Sequence, residues 1–108
     1  MIEYSVTVSP LARTQIARYA EYIVESSGSL EVGNRWVFRV YTTTQSLSHF
    51  PQRFGLAEEN DHREYEIRRL VIGKYLALYH IEESVKIIRV IGFRHGARLP
   101  RPDELPVE

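Results

Sequence analysis

The sequence predicts an α+β domain with the element order β-α-α-β-β-β, in which a helical hairpin packs on one face of a small, mainly antiparallel sheet. Three apolar runs rich in Val, Ile and Tyr follow one another closely at 65–72, 74–81 and 85–93. Such residues favour a pleated, half-buried surface, and the segments between the runs are short enough for hairpin turns. Upstream, two stretches with apolar residues at helical spacing flank residues 26–29. Two apolar layers of this kind bury one core between them.

The N-terminal third supplies the first strand and the helical hairpin. Residues 4–8 alternate between polar and apolar and predict a strand that joins the later sheet. Ser9-Pro10 then places an N-cap hydroxyl before a proline at the first helical position, which predicts a helix over 11–25. After the break, a second helix is predicted from about Leu30 to about Ser48, with Phe50-Pro51 to end it.

The apolar stripe of the second predicted helix identifies the side that meets the sheet. Its members are Val32, Trp36, Val37, Val40, Tyr41, Thr44 and Leu47. Trp36 is therefore expected between the hairpin and the sheet. The opposite face of the sheet is expected to stay open, and the arginines of the three apolar runs are expected to make it a basic platform.

Two segments lack periodicity. Residues 52–63 form the longest one, and loops of this length are often functional or mobile, although a plain connector from the helices to the sheet explains the segment equally well. Residues 99–108 hold three prolines and are predicted to be an extended tail. Residues 1–98 then form a single domain.

The composition narrows the class of protein. There is no cysteine, which excludes disulfides, a thiol nucleophile and a cysteine zinc site. No run of apolar residues is long enough to span a membrane, and the acidic Glu3 does not fit the basic start of a signal peptide. We therefore expect a cytoplasmic protein without membrane contact.

The net charge of zero conceals an uneven distribution. Residues 63–101 carry nine Lys or Arg against four Asp or Glu, an excess of five positive charges, whereas residues 1–62 and 102–108 are both net acidic. This asymmetry indicates that the sheet meets an acidic partner, or alternatively that it has a solvated basic face.

Motifs for metals and nucleotides are absent. The four histidines lack the spacing of metal ligands, and no glycine-rich phosphate loop occurs. We expect neither a metal nor another cofactor. His80 alternates with Leu76 and Leu78, which favours a core position over a catalytic one.

Arg94-His95-Gly96-Ala97-Arg98 is the most informative cluster, because it follows the last predicted strand. Two arginines around a histidine suit phosphate or an acidic protein surface, and Arg68 and Arg69 on a neighbouring strand add to the same surface. Ion pairs with Glu64, Glu66 or the acidic tail are the alternative.

Several short motifs follow one another in a fixed order. They are Tyr4-x-Val6-x-x-Ser9-Pro10-x-Ala12, Tyr19-x-x-Tyr22-Ile23, Leu47-x-x-Phe50-Pro51, Ile67-Arg68-Arg69-Leu70-x-x-Gly73-x-Tyr75-x-x-x-Tyr79, Ile87-Ile88-Arg89-Val90 and His95-Gly96-Ala97-Arg98. This ordered set, over residues 4 to about 98, resembles the RelE/ParE superfamily of type II toxins, often labelled plasmid stabilisation proteins, and is more similar to its ParE branch. Phe93 and Arg94 make the path to His95 longer than in the usual pattern.

The resemblance implies a small toxin held inactive by a cognate antitoxin, in a toxin–antitoxin hetero-oligomer. ParE-like members act on DNA gyrase, whereas RelE-like members cut mRNA on the ribosome without a metal. The ParE-like interpretation makes Arg68, Arg69, Arg94, His95 and Arg98 contacts to the target.

The RelE-like interpretation makes Arg69, Arg94 and His95 catalytic, with Glu64 or Glu66 as the base. The chain lacks both the lysine-rich second strand and the C-terminal tyrosine of RelE-like members, so the sequence favours gyrase. A small interaction domain without toxicity is a third alternative.

Overall fold

The computed structural model describes residues 3–62 and 65–97. Its helices and strands are β1 (Ser5–Val8), α1 (Pro10–Ser27), α2 (Leu30–Gln45), β2 (Arg68–Ile72), β3 (Tyr75–Glu82) and β4 (Ile87–His95). Short 3₁₀ turns at Ser46–Ser48, Pro51–Arg53 and Glu58–His62 connect α2 to β2. The predicted order and fold class are confirmed. Glu64, Arg98 and the predicted tail at 99–108 lie outside the described residues.

The four strands form one sheet in the order β1-β4-β3-β2. β2, β3 and β4 pair antiparallel as consecutive hairpins, and β1 pairs parallel with β4. The first strand thus joins the far edge of the meander, as its alternation predicted, and the helical hairpin connects the two edges.

Both helices begin at serine N-caps, and the first of them, Ser9, is the predicted one. The Ser9 hydroxyl accepts a hydrogen bond from the Ala12 amide at 3.1 Å, and the Ser29 hydroxyl accepts one from the Val32 amide at 3.2 Å. Gly28 ends α1 in the left-handed region at φ 69°, where a residue without Cβ avoids strain. Serine and glycine therefore set the turn that makes the two helices antiparallel neighbours.

The main core lies between the helices and the sheet. Ile16 of α1 and Val40 of α2 are buried against Tyr79, Val90 and Phe93 of the sheet. Trp36 is partly buried at one end of this core, where its ring packs edge-on against Tyr75 and Phe93. The predicted stripe is mostly correct, but Val32 is exposed and Gly33 is buried in its place.

A β-bulge in β4 determines which side chains face the helices. Val90 pairs with Tyr79 and Gly92 pairs with Leu78, so Ile91 is an extra residue. An extra residue reverses the alternation of side chains beyond it. Phe93 consequently joins the main core, and Arg94 points to the face turned away from the helices, which we call the far face.

The far face is not the open basic platform that the sequence suggested. It carries a second apolar cluster of Ala57, Ile67, Leu78 and Ile91. The Ala57 amide donates to the Ile67 carbonyl at 2.8 Å, so the chain before β2 folds back along that strand and places Ala57 over the sheet. Apolar residues on both faces of the central strands require such a cover. We call residues 55–62 the covering segment.

Candidate functional site

Arg94 is a buried structural residue. Its Nε donates to Glu59 Oε2 at 2.7 Å, and its Nη2 donates to Glu59 Oε1 at 3.3 Å. The side chains are only 6% and 1% exposed. The pair joins the covering segment to β4, so Arg94 does not present its guanidinium to an outside partner. Arg94 lies on the face that was expected to be open, and the covering segment, through Glu59, is the physical reason why it is buried there instead of making a surface contact.

Arg68 also acts within the fold. It lies opposite Tyr79, a residue of the main core. Its Nη1 donates to the carbonyls of Gln52 and Phe54, and its Nη2 lies 2.9 Å from Glu66 Oε1. Arg68 therefore holds the chain after α2 against the edge of the sheet.

Arg69 has the exposed position that the sequence predicted. It points to the far face from β2 and is exposed. Its Nη1 donates to the Leu56 carbonyl at 2.9 Å. Among residues 3–62 and 65–97 this contact alone orients the guanidinium, and the rest of the group faces outward from the far face.

His95 lies beside an aromatic cluster at the end of the main core. Its ring packs edge-on against Tyr75 at 5.2 Å between centroids, and its backbone amide donates to the Tyr19 hydroxyl at 3.1 Å. The Ala97 amide donates to His95 Nδ1 at 3.0 Å, so in the neutral ring the proton is on Nε2. His95 is partly exposed and is held in place by these neighbours.

The three residues of the predicted ribonuclease site do not converge. Arg94 is turned toward Glu59 on the far face, whereas His95, next along the strand, lies on the helix side with Tyr75. Glu66, one of the two predicted bases, pairs with Arg68. Among the described residues, this set does not bring an acid, a base and a charge stabiliser to one point.

The fold instead brings together three residues that the sequence analysis did not combine. His80 of β3 lies directly opposite Arg89 of β4, and the Tyr65 ring is 4.8 Å from the His80 ring. Tyr65, His80 and Arg89 lie on the far face beside the covering segment, and we call them the far-face row. The sequence carries a signal for this pair: a hairpin in which Glu82 pairs with Ile87 also places His80 opposite Arg89.

A groove of about 490 Å³ separates the exposed sides of α1 and α2. Its lining includes the small residues Ala17, Ala20 and Gly33 and the apolar Val24, Leu30 and Val37. A Cβ on Gly33 would meet Val24 Cγ2 at 2.3 Å, so the glycine permits the close approach of the helices at this point. The result is an apolar floor between two helical walls.

Comparison with models of protein families identifies the family of this chain. The model described as the ParE toxin of the type II toxin-antitoxin system, parDE, matches residues 6–100. The chain belongs to the ParE toxin family. The match spans both helices and every strand except the first residue of β1.

A solved structure supports the same fold. The ParE-family chain is similar to a chain described as the chromosomal ParDE TA system from P. aeruginosa, with a TM-score of 0.68 and 15% sequence identity. The similarity covers 88% of this chain and 98% of that chain. No curated protein sequence matches this ParE-family chain.

Two further findings concern the described part of this ParE-family toxin. No group of three or more His, Asp or Glu side chains within 3–62 and 65–97 is placed to hold a metal ion. Among the same residues, neither helix has the length and apolar character that crossing a bilayer requires.

Proposed function

We propose that this ParE-family chain inhibits DNA gyrase and is neutralised by a cognate antitoxin. The observation that carries the choice of gyrase over mRNA cleavage is the separation of Arg69, Arg94 and His95. Cleavage at a 2′-hydroxyl needs a base, an acid and charge stabilisation at one place, whereas inhibition by binding needs only a complementary surface.

The target surface in this proposal comprises Arg69 on the far face, His95 on the helix side at the end of β4, and Arg98, which lies outside the described residues. Arg69 is exposed on the far face and His95 is partly exposed at the C-terminal end of β4. Arg68 and Arg94 keep the covering segment and the chain after α2 in place, so they support this surface from within. A rim arginine mainly changes the rate and the salt dependence of association.

The antitoxin in this proposal places an amphipathic helix in the groove between α1 and α2. The groove has an apolar floor and small residues that let a third helix approach closely. Leu30 and Phe38 on α2 are 67% and 73% exposed, and a partner helix would cover them. The far face, the other candidate surface, is already covered in part by Ala57.

The test uses the purified chain in two assays run side by side. The first measures the inhibition of DNA supercoiling by gyrase as the chain is titrated, and the second measures mRNA cleavage on programmed ribosomes. We expect inhibition in the first assay and intact mRNA in the second. Cleaved mRNA with normal supercoiling would contradict the proposal and favour the ribosome-dependent endonuclease.

A further inference from the structure

The far-face row does not contribute to the proposed target surface. Arg89 lies opposite His80 of β3 on one side and opposite Thr7 of β1 on the other. Because neighbouring strands are about 4.8 Å apart, these three side chains form a line across three strands. The covering segment reaches Leu78 and Ile91 in the adjacent layer but leaves the Arg89 side chain 46% exposed.

His80 is held with one ring nitrogen available. Its Nδ1 lies 3.0 Å from the Glu66 carbonyl. A carbonyl oxygen only accepts hydrogen bonds, so Nδ1 carries the proton. The edge-on contact with Tyr65 fixes the ring plane. Nε2 has no hydrogen-bond partner among residues 3–62 and 65–97.

Arg89 is oriented by a single carboxylate. Its Nε donates to Glu82 Oε2 at 2.7 Å. Within the described ranges, its two terminal nitrogens have no hydrogen-bond partner. The guanidinium therefore presents a fork of N–H donors next to His80. Glu82 offsets the charge of Arg89, so the geometry of the donors, rather than an excess of positive charge, defines what this site binds.

This geometry fits a phosphate better than a carboxylate. A carboxylate has two oxygens in one plane, which the arginine fork satisfies alone. The tetrahedral oxygens of a phosphate also reach the neighbouring strand, where His80 Nε2 donates when the imidazole carries its second proton. Thr7, Arg89 and His80 form a single line of side chains, which suits one nucleic acid backbone rather than the broader face of a duplex.

We propose that His80 and Arg89 bind a phosphodiester group of a single-stranded nucleic acid, with Tyr65 and Glu82 as positioning residues. The site is distinct from the proposed gyrase contacts and from the antitoxin groove. It adds a nucleic acid to the partners of this chain.

The test is fluorescence anisotropy with short labelled single-stranded RNA and DNA of the same sequence. We expect binding by the full chain at about 50 mM salt that weakens toward about 200 mM. Arg89→Gln should weaken it about tenfold, because one charge-assisted contact is lost. The slope of log K against log salt should fall by about 0.7 for one phosphate contact on a single strand. His80→Ala should also weaken binding.

Arg18→Gln is the matched control, because Arg18 is an exposed arginine on α1 and the change in net charge is the same. Its affinity should equal that of the parent chain. The proposal fails if the parent binds neither oligonucleotide at low salt, or if Arg18→Gln weakens binding as much as Arg89→Gln. It also fails if Arg89→Gln weakens binding to gyrase while no oligonucleotide binds, since the row would then contact a protein carboxylate. Circular dichroism melting of each variant verifies that it is folded.

Discussion

At the scale of single residues, burial separates two ion pairs that have the same contact distance. Arg94 with Glu59 and Arg89 with Glu82 both have an Nε–Oε2 distance of 2.7 Å. The first pair is almost fully buried, whereas the second is 46% and 39% exposed. Water and salt screen the exposed pair, but a charge left alone in the buried site has no substitute for its partner.

Glu59→Gln should therefore lower the free energy of unfolding by about 3–5 kcal/mol, the usual cost of breaking a buried pair. Glu82→Gln, the matched control in the exposed pair, should change it by about 1 kcal/mol or less. Urea unfolding followed by circular dichroism measures both values. Equal effects would mean that the covering segment does not bury Arg94 in solution.

Glu83 makes the stability of the fold depend on pH in the acid range. The Tyr4 hydroxyl donates to Glu83 Oε1 at 2.6 Å. This hydrogen bond, assisted by the nearby Lys86 ammonium, lowers the pKa of Glu83 from its usual 4.5. A lowered pKa in the folded state means that the carboxylate stabilises the fold above pH 4.5 and that this stabilisation is lost as the pH falls through the lowered value.

Tyr4→Phe should flatten the decline in stability below pH 4.5, because the hydrogen bond that lowers the pKa of Glu83 is removed. The measurement is the urea midpoint as a function of pH for both proteins. The control is the difference between them at neutral pH, which reports the loss of the hydroxyl itself. Parallel curves through the acid range would rule out this role of Tyr4.

At the scale of the elements, Trp36 joins α2 to the sheet. Its ring contacts Tyr75 and Phe93 but remains partly exposed at the end of the core. Trp36→Ala should lower the free energy of unfolding by about 3 kcal/mol, the low end for large aromatic side chains, because part of the ring is already solvated. Phe38→Ala on the exposed side of α2 is the control and should have a much smaller effect. An unchanged melting temperature for Trp36→Ala would show that the ring does not pack on the sheet.

The groove of the hairpin gives a test of the antitoxin proposal. Ala17 is exposed and lines the groove, whereas Thr14 is exposed on α1 outside it. Ala17→Arg should reduce affinity for the antitoxin about thirtyfold or more, since it places a long charged side chain in a central apolar contact worth about 2 kcal/mol. Thr14→Arg should bind like the parent. Co-purification and titration calorimetry with the protein of the adjacent reading frame measure this, and equal affinities would place the antitoxin elsewhere.

An element could be predicted from the sequence when the contacts that fix it lie close along the chain, and could not when they lie far apart. Ser9, Gly28 and Ser29 act on backbone groups within a few residues, so the ends of the helices were predictable from sequence. The bulge at Ile91 depends on packing across β3 and β4, and it places Arg94 on the far face, where Glu59 of the covering segment buries it. The covering segment has no periodicity, because its position is set by Ala57 and Glu59 meeting strands far along the chain.

At the scale of the whole molecule, ion pairs within the chain neutralise part of the excess positive charge of the sheet region. Arg68, Lys86, Arg89 and Arg94 each pair with a glutamate. The charge count in the sequence could not reveal this pairing, because it depends on register and on the covering segment. Among the described residues of this region, Arg69 lies in β2 and Lys74 in the turn after it, which fits recognition at specific contacts rather than through a uniform basic face.

The same pairing of charges favours a contact role for His95 over a catalytic one. Its ring is held by Tyr75 and the Ala97 amide, and Arg94 beside it is paired with Glu59. Loss of a general acid would reduce cleavage by about 10²–10⁴, whereas a contact residue tolerates a polar replacement of similar shape. His95→Gln should therefore retain toxicity.

The most direct measurement is the accumulation of gyrase-cleaved DNA with the purified parent chain and with His95→Gln. We predict that both proteins inhibit gyrase and leave linear DNA, with similar dose dependence, and that neither cuts mRNA on ribosomes. Intact plasmid together with ribosome-dependent mRNA cleavage that disappears in His95→Gln would contradict it.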